Sequence, residues 1–478
     1  MRGIHDHQSD IQQLQKVNIF SSFQHPETGR ISANVLSVLP VKDSKFKQVA
    51  RRFFVDRYFH LDVDAGVGLI FTLYFILFFL AISKVHFQAT AMELGAPFNS
   101  FMMPQWFKDF EAVMEQWLYR PGFSDQVANR RTPVGYLPAI YVFTEVLRLI
   151  TNDAMFQVWN TWKIFCAFYL SVVTGSVLLF LRPRGLTTSL MALTLVLASY
   201  PNLIALHTGN WEMLIFVLIL LATLAAHAEK WSYFSICIGI AASVKAFPGI
   251  FALAPFVLTT PKIALRSFVL SVKTAILLTL FAVFFLPGGF LSNGLDGLRT
   301  IVKFTLESQK MYTDLMVTNV NGLHYGHSLL NGVHAFFGMD FLPSEYWAIP
   351  VVIFGAIWTV VALVIIRKLD PPIWLVFGIL GSSGCIFQPT STDYKLLYLL
   401  PAVILFFRDS DRQIRSLILL LVITWAIAPK PYWYVGSDEY TNANVWLTPI
   451  LLITFQIAAV ISVYCPAARK SESKAEAK

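Results

Sequence analysis

Apolar stretches recur along this sequence from about residue 66 to residue 464, and several run for about 18 residues or more with few or no charges. Runs of that kind are long enough to cross the hydrocarbon core of a bilayer as helices. The chain of 478 residues is 56% hydrophobic and 14% charged, where soluble proteins average roughly 45–50% and about 25%. One soluble core cannot hide that excess, because a protein of this size still needs a large polar surface. The sequence therefore predicts an all-α polytopic membrane protein. Four cysteines, with Cys166, Cys237 and Cys385 inside apolar runs and Cys465 at the end of another, exclude a secreted disulfide scaffold. A net charge of +8 suggests nucleic-acid binding only until the charges are located. They lie beside the ends of the apolar runs, as the positive-inside rule expects.

Spans read at about 66–84, 160–181, 186–205, 212–228, 232–247, 266–287, 348–366, 373–387, 394–407, 414–429 and 445–464. Residues 134–150 read as a short span or an interfacial helix. Residues 249–259 are too short for an ordinary span and follow Pro248, a helix breaker. The expectation is 11–13 spans in a domain covering 61–465. Residues 1–60 form a polar and basic cytoplasmic tail with no cleavable signal, and 466–478 a disordered cytoplasmic tail. The first tail ends in Lys42, Lys45, Lys47, Arg51, Arg52 and Arg57 immediately before the first span, which holds it in the cytoplasm. Its Lys45–Leu61 stretch interleaves cations with aromatics, and reads as a basic interfacial helix or a plain basic tail. Short basic loops such as Arg182-Pro183-Arg184, Glu229-Lys230 and Arg367-Lys368 fall on the same side. The connections 85–133, His207–Trp211, 288–347, 388–395 and 429–444 then face outward, and they hold most of the Asp, His, Asn, Trp and Tyr residues between the spans.

Three polar features sit where dry surroundings make them expensive. Asp109 lies among aromatics in Trp106-Phe107-Lys108-Asp109-Phe110 of the long first outer loop, which continues through Arg130 and Arg131 to Tyr136-Leu137-Pro138. It is a candidate general base, because desolvation raises a carboxylate's pKa and its strength as a proton acceptor; the plain alternative is a solvated loop residue. Lys245, in Ser243-Val244-Lys245-Ala246-Phe247-Pro248, is costly in an apolar run unless it is paired or snorkels. Pro248 points to a broken helix whose freed backbone lines a cavity, with a phosphate as the natural counter-ion. The third feature is Gln388 to Lys395, where Asp393 and Lys395 stand at the mouth of a span. His324 and His327 accompany it without a carboxylate partner or an HExxH pattern, so no metal site is assigned. No Walker loop, GxGxxG or GxSxG stands in a helix-opening context.

Taken in order, Asp109-Phe110, Tyr136-Leu137-Pro138, Gly209-Asn210-Trp211, Lys245-Ala246-Phe247-Pro248, Gly326-His327-Ser328-Leu329-Leu330-Asn331-Gly332 and Gln388-Pro389-Thr390-Ser391-Thr392-Asp393-Tyr394 resemble the GT-C glycosyltransferases that use polyprenyl-phosphate sugars. The resemblance is to the family of bacterial α-(1→2)-mannosyltransferases and arabinofuranosyltransferases. The family's elements are an Asp followed by an apolar residue, Tyr-Pro-Pro, Gly-Gln-x-Asn, Lys-Pro, Asn-Gln-Ser-Leu and Ser-Pro-x-x-Trp-Asp-His. Here Tyr-Leu-Pro, Gly-Asn-Trp and Thr-Asp-Tyr depart from the pattern.

The resemblance implies a GT-C-like bundle whose long first outer loop carries interfacial helices. It implies transfer, with inversion, of a mannose-like hexose or a pentose from a polyprenyl phosphate to a hydroxyl of a lipid-linked or cell-envelope glycan. The site would lie on the outer face of a bacterial inner membrane. Asp109 takes the place of the general base. The cations expected on the donor phosphate are Lys245 and Lys395, then Arg130 and Arg131. Trp106, Tyr136, Asn210, Trp211, His324, His327 and Asp393 are expected around the substrates. Some families of this class need a divalent metal on a second acidic residue, but no clear Asp-x-Asp or Glu-x-Asp stands in the outer loops, so neither metal nor cofactor is expected; the partners are the bilayer, the lipid-linked donor and the glycan acceptor, with no nucleic acid. The competing classes are a lipid-linked-glycan transporter or flippase, which usually shows an internal repeat absent here, and a lipid-linked-glycan polymerase or ligase.

Overall fold

The computed structural model describes residues 136–151, 157–286, 289–313, 326–338, 344–368, 370–409, 414–428 and 443–464, all within one compact unit that runs from Val63 to Pro466. The described residues are predominantly helical and form no strand beyond one bridge between Gly326 and Thr392. In chain order the helices are α1 (Ile140–Thr151), α2 (Gln157–Leu181), α3 (Leu186–Leu197), α4 (Tyr200–Thr208), α5 (Glu212–His227), α6 (Trp231–Val244), α7 (Ala254–Leu258) and α8 (Pro261–Phe285). They continue as α9 (Phe290–Thr313), α10 (Leu329–Phe337), α11 (Ser344–Arg367), α12 (Ile373–Ile386), α13 (Leu400–Arg408), α14 (Ile414–Ile427) and α15 (Asn444–Tyr464). Short 3₁₀ turns occupy Arg182–Arg184, Phe247–Leu253 and Asp393–Leu399.

Among the described residues, four helical segments are long and apolar enough to cross a membrane: Thr161–Arg184, Pro261–Phe285, Tyr346–Arg367 and Asn444–Ile461. A bent pair makes a fifth candidate: α3 and α4 meet at 58°. The remaining apolar helices are shorter. Helices α12 and α13 bury nearly every side chain and α5 most of its own, whereas α8 shows Val269, Ile276, Leu277, Phe281 and Phe285 on its outer face. Central helices are thus apolar all round and peripheral ones turn apolar side chains outward, the arrangement of a protein dissolved in lipid.

Proline placement explains where continuous apolar runs break. A helical proline lacks the N–H that would bond the carbonyl four residues back, and its ring clashes with that carbonyl. Pro201 frees the carbonyl of Leu197, which accepts instead from Asn202 Nδ2 at 2.7 Å. Pro248 frees the carbonyl of Val244, which accepts from the backbone N–H of Leu137 at 2.9 Å. The sequence-predicted span 186–205 is therefore two helices, and the span 232–247 stops at Val244, with Lys245 extended at φ −152° and ψ 133°. The expected span 394–407 opens with the 3₁₀ turn Asp393–Leu399 and becomes α-helical only at Leu400. Residues 249–259 supply the short 3₁₀–α segment that follows the Lys245 break. Residues 134–150 contribute a helix of 12 residues from Ile140.

Candidate active site

The polar residues of the core gather at these breaks. Helix α4 ends at Gly209, whose φ of 64° is left-handed and suits glycine, and the following Asn210 N–H bonds back to the carbonyl of Ala205 at 2.8 Å. That turn delivers Asn210, Trp211 and Glu212 in succession. Asn210 Oδ1 accepts from Tyr136 Oη and from the Glu212 N–H, each at 2.9 Å. Glu212, fully buried, meets the ammonium of Lys245 at 2.5 Å and accepts from Tyr398 Oη at 2.8 Å. The Lys245 ammonium also stands over the rings of Tyr136 and Tyr394, 4.7 Å and 5.9 Å from their centroids. Lys395, likewise buried, donates to the carbonyl and the hydroxyl of Thr390 at 2.5 and 3.3 Å, and lies within electrostatic reach of both Lys245 and Glu212. The dry core thus holds one ion pair, Lys245 with Glu212, and a second basic side chain, Lys395, kept on Thr390.

A second group adjoins it through the segment Gln388–Lys395. Asp393 accepts from Tyr200 Oη on one oxygen and pairs with His327 Nε2 on the other. The backbone fixes that pairing: Gly326 bridges to Thr392, and the N–H of His327 bonds to the carbonyl of Ser391 at 3.0 Å. Ser328 then caps α10, accepting from the Asn331 N–H at 3.0 Å. Buried atoms without a hydrogen-bond partner among the described residues concentrate here: His327 Nδ1, Gln388 Oε1, Ser391 Oγ and Thr392 Oγ1. Each such atom costs roughly 1–3 kcal/mol while unsatisfied, so the cluster is suited to receiving a polar ligand.

Of the residues expected around the substrates, the structure brings Tyr136, Asn210, Lys245, Lys395, His327 and Asp393 into these two adjoining groups. Trp211 is also there, but its ring is fully buried against Phe165 at 5.4 Å. Asp109, Trp106, Arg130, Arg131 and His324 lie outside the described residues. Lys245 was expected to wait for a phosphate, and the structure gives it a resident carboxylate. Sequence reading missed Glu212 because it opens an apolar run and looks like an ordinary helix start. The signal was available: in the Gly-Gln-x-Asn element matched by Gly209-Asn210-Trp211, the fourth position is Glu212. Tyr200 and Tyr398 carried no local signal, since their partners stand 193 and 186 residues away.

Helices α6 and α8 hold this arrangement at close range. A Cβ on Gly239 would lie 2.5 Å from the carbonyl oxygen of Ser271, so the two helices touch backbone to backbone. Gly381 of α12 does the same against the carbonyl of Tyr398, where a Cβ would come within 2.3 Å. Comparison with curated proteins gives no match. A family model, glycosyltransferase family 87, matches residues 134–389, more than half of the chain. The match takes in the site from Tyr136 to Gln388, with Asp393, Lys395 and Tyr398 just beyond its edge. An apolar helical bundle with a buried polar site, matched over that length, belongs to glycosyltransferase family 87 and is a membrane glycosyltransferase.

Proposed function

We propose that the donor is a polyprenyl-phosphate sugar, a mannose-like hexose or a pentose, and the acceptor a hydroxyl of a lipid-linked or cell-envelope glycan. The observation that carries this reading is a pair of basic side chains held in the dry core, Lys245 against Glu212 and Lys395 on Thr390. Two buried basic side chains in reach of one another suit the phosphate of a donor that stays in the bilayer. On binding, that phosphate competes with Glu212 for Lys245, while Tyr398 keeps its hydrogen bond to Glu212. The cluster of His327 Nδ1, Gln388 Oε1, Ser391 Oγ and Thr392 Oγ1 offers donors and acceptors matched to sugar hydroxyls. Asp393 and Tyr200 fix the His327 ring so that Nδ1 is presented.

The chemistry is one displacement. Asp109 removes the proton of the acceptor hydroxyl. The acceptor oxygen then forms a bond to the anomeric carbon as the bond from that carbon to the phosphate oxygen breaks, with inversion. The polyprenyl phosphate departs with the electron pair, and Lys245 and Lys395, joined by Arg130 or Arg131, stabilise the charge that develops on it. We propose no metal and no cofactor, and a site on the outer face of a bacterial inner membrane with both termini cytoplasmic.

The test uses the purified enzyme in lipid nanodiscs with radiolabelled polyprenyl-phosphate mannose and arabinose, and with nucleotide sugars as the competing donors. Transfer from a polyprenyl-phosphate sugar is expected; transfer from nucleotide sugars alone overturns the donor reading. Asp109→Asn should lower turnover by roughly 10²–10⁴, whereas the amide variants of Glu111, Glu115 and Asp125 should retain most of it. A cytoplasm-specific reporter fused after Ser124 should be silent, and its activity would move the site to the other face.

A further inference from the structure

Helix α9 (Phe290–Thr313) has the length of a span but is not apolar enough to be one. Beyond a kink at Gly294 it sorts its side chains into three stripes. Gly297, Ile301 and Phe304 recur every three or four residues and are buried against the protein, where Phe304 meets the ring of Tyr141 with centroids 6.1 Å apart. Leu295, Leu298, Val302 and Leu306 follow the same period one face further round, and all four are exposed. Asp296, Arg299, Lys303, Glu307 and Lys310 form the third stripe, on the opposite flank of the buried one. Their pairs, Arg299 with Asp296 at 3.3 Å and Lys303 with Glu307 at 4.0 Å, run along that stripe.

A helix in water has no use for an exposed row of Leu, Leu, Val and Leu, and a helix inside hydrocarbon cannot carry five charges on one side. One environment satisfies both faces, the boundary between acyl chains and water. Continuity supports it. Helix α8 ends at Phe285 with Leu277, Phe281 and Phe285 turned outward, and α9 starts at Phe290. Exposed apolar side chains thus stand both at the end of the span and along the helix that follows it. The charged stripe holds three cations and two carboxylates, a net positive edge fit for phosphate headgroups.

We infer that α9 lies in the plane of the membrane surface as an interfacial helix, seated on a phospholipid leaflet through Leu298, Val302 and Leu306, with Arg299, Lys303 and Lys310 at headgroup level. Through Phe304 and Tyr141 it braces α1, whose leading residues carry Tyr136 into the site. The placement does not depend on which donor the enzyme uses. Single cysteines at 298, 302, 306, 299, 303 and 310, in a full-length background with the four native cysteines replaced, would carry a nitroxide label in nanodiscs of phosphatidylcholine and phosphatidylglycerol. All six native side chains are exposed, so the label replaces no core contact. Collision with dissolved oxygen should dominate at 298, 302 and 306, and collision with a water-soluble nickel chelate at 299, 303 and 310. Nickel dominance at all six positions would put the helix in water, and oxygen dominance at all six would put it inside the bilayer; either result overturns the placement.

Discussion

Helix α5 begins at Glu212 and ends at His227, and its two ends meet their partners in opposite ways. At the His227 end the charges are shallow. His227 stands 3.5 Å from Asp409 with roughly a quarter of each side chain exposed, Arg184 Nε donates to the carbonyl of Arg408 at 2.8 Å, and the Arg408 guanidinium rests 5.3 Å from the centre of the Phe180 ring. Partial burial pushes the Asp409 carboxyl above its ordinary range, against the pull of His227, Arg184 and Arg408. At the Glu212 end the same kinds of group are sealed from solvent and packed on tyrosines. The cations of the shallow end can trade a partner for water at little cost, and they tie loops together. Those of the deep end cannot, so every charge there needs a specific reason, and the proposed donor site offers one.

The contrast is sharpest for the buried pair. Lys245→Met leaves Glu212 as a lone buried carboxylate and should cost about 3–5 kcal/mol, measured by denaturant titration in mixed micelles, together with loss of transfer activity. Lys245→Met combined with Glu212→Leu should recover most of the stability and none of the activity. If the double variant were as unstable as the single one, the pairing would not be the source of the loss. Gly381→Ala probes the wall of the deep site. Its methyl group would collide with the backbone of Tyr398, and overpacking of this kind costs about 1–3 kcal/mol. The expected sign is a lower unfolding midpoint with a raised donor KM. Gln456 is uncharged, and its amide ties Trp358 to Ser382 and Ser383 at 2.6, 2.7 and 2.9 Å. Gln456→Leu should therefore cost roughly 1–3 kcal/mol from orphaned partners while sparing turnover in a donor-saturated assay. The smallest effect belongs to the shallow end: His227→Ala should change stability by less than about 1 kcal/mol and leave transfer rates intact. A large effect there would erase the distinction between the two ends.

What could be read in advance follows the same division. Lys245 and Pro248 stood out because an ammonium and a helix breaker are conspicuous in an apolar run, and the apolar runs themselves revealed the membrane class. His327 and Asp393 were each noticed, but not as a pair, because 66 residues separate them and only the bridge from Gly326 to Thr392 brings them together. Glu212 was passed over because its cost shows only once the start of α5 is known to be buried. The break at Pro201 was hidden because the apolar run resumes at Leu203 after the short Ser199-Tyr200-Pro201-Asn202 dip, and hydropathy is blind to a missing N–H.

The shortness of α5 and α6 has a consequence for the lipid around them. With 16 and 14 residues at about 1.5 Å each, they measure roughly 24 and 21 Å, against a hydrocarbon thickness of about 30 Å. A bilayer meets hydrophobic mismatch of this kind by thinning where it touches the short helices. On the proposed donor site, a depression against α6, which turns Tyr233 and Ile236 outward, would bring headgroups down towards the ammonium instead of the ammonium climbing to them. A lipid-borne phosphate could then reach the site with its chain still in the leaflet, and enzyme efficiency would vary with membrane thickness as well as with substrate concentration.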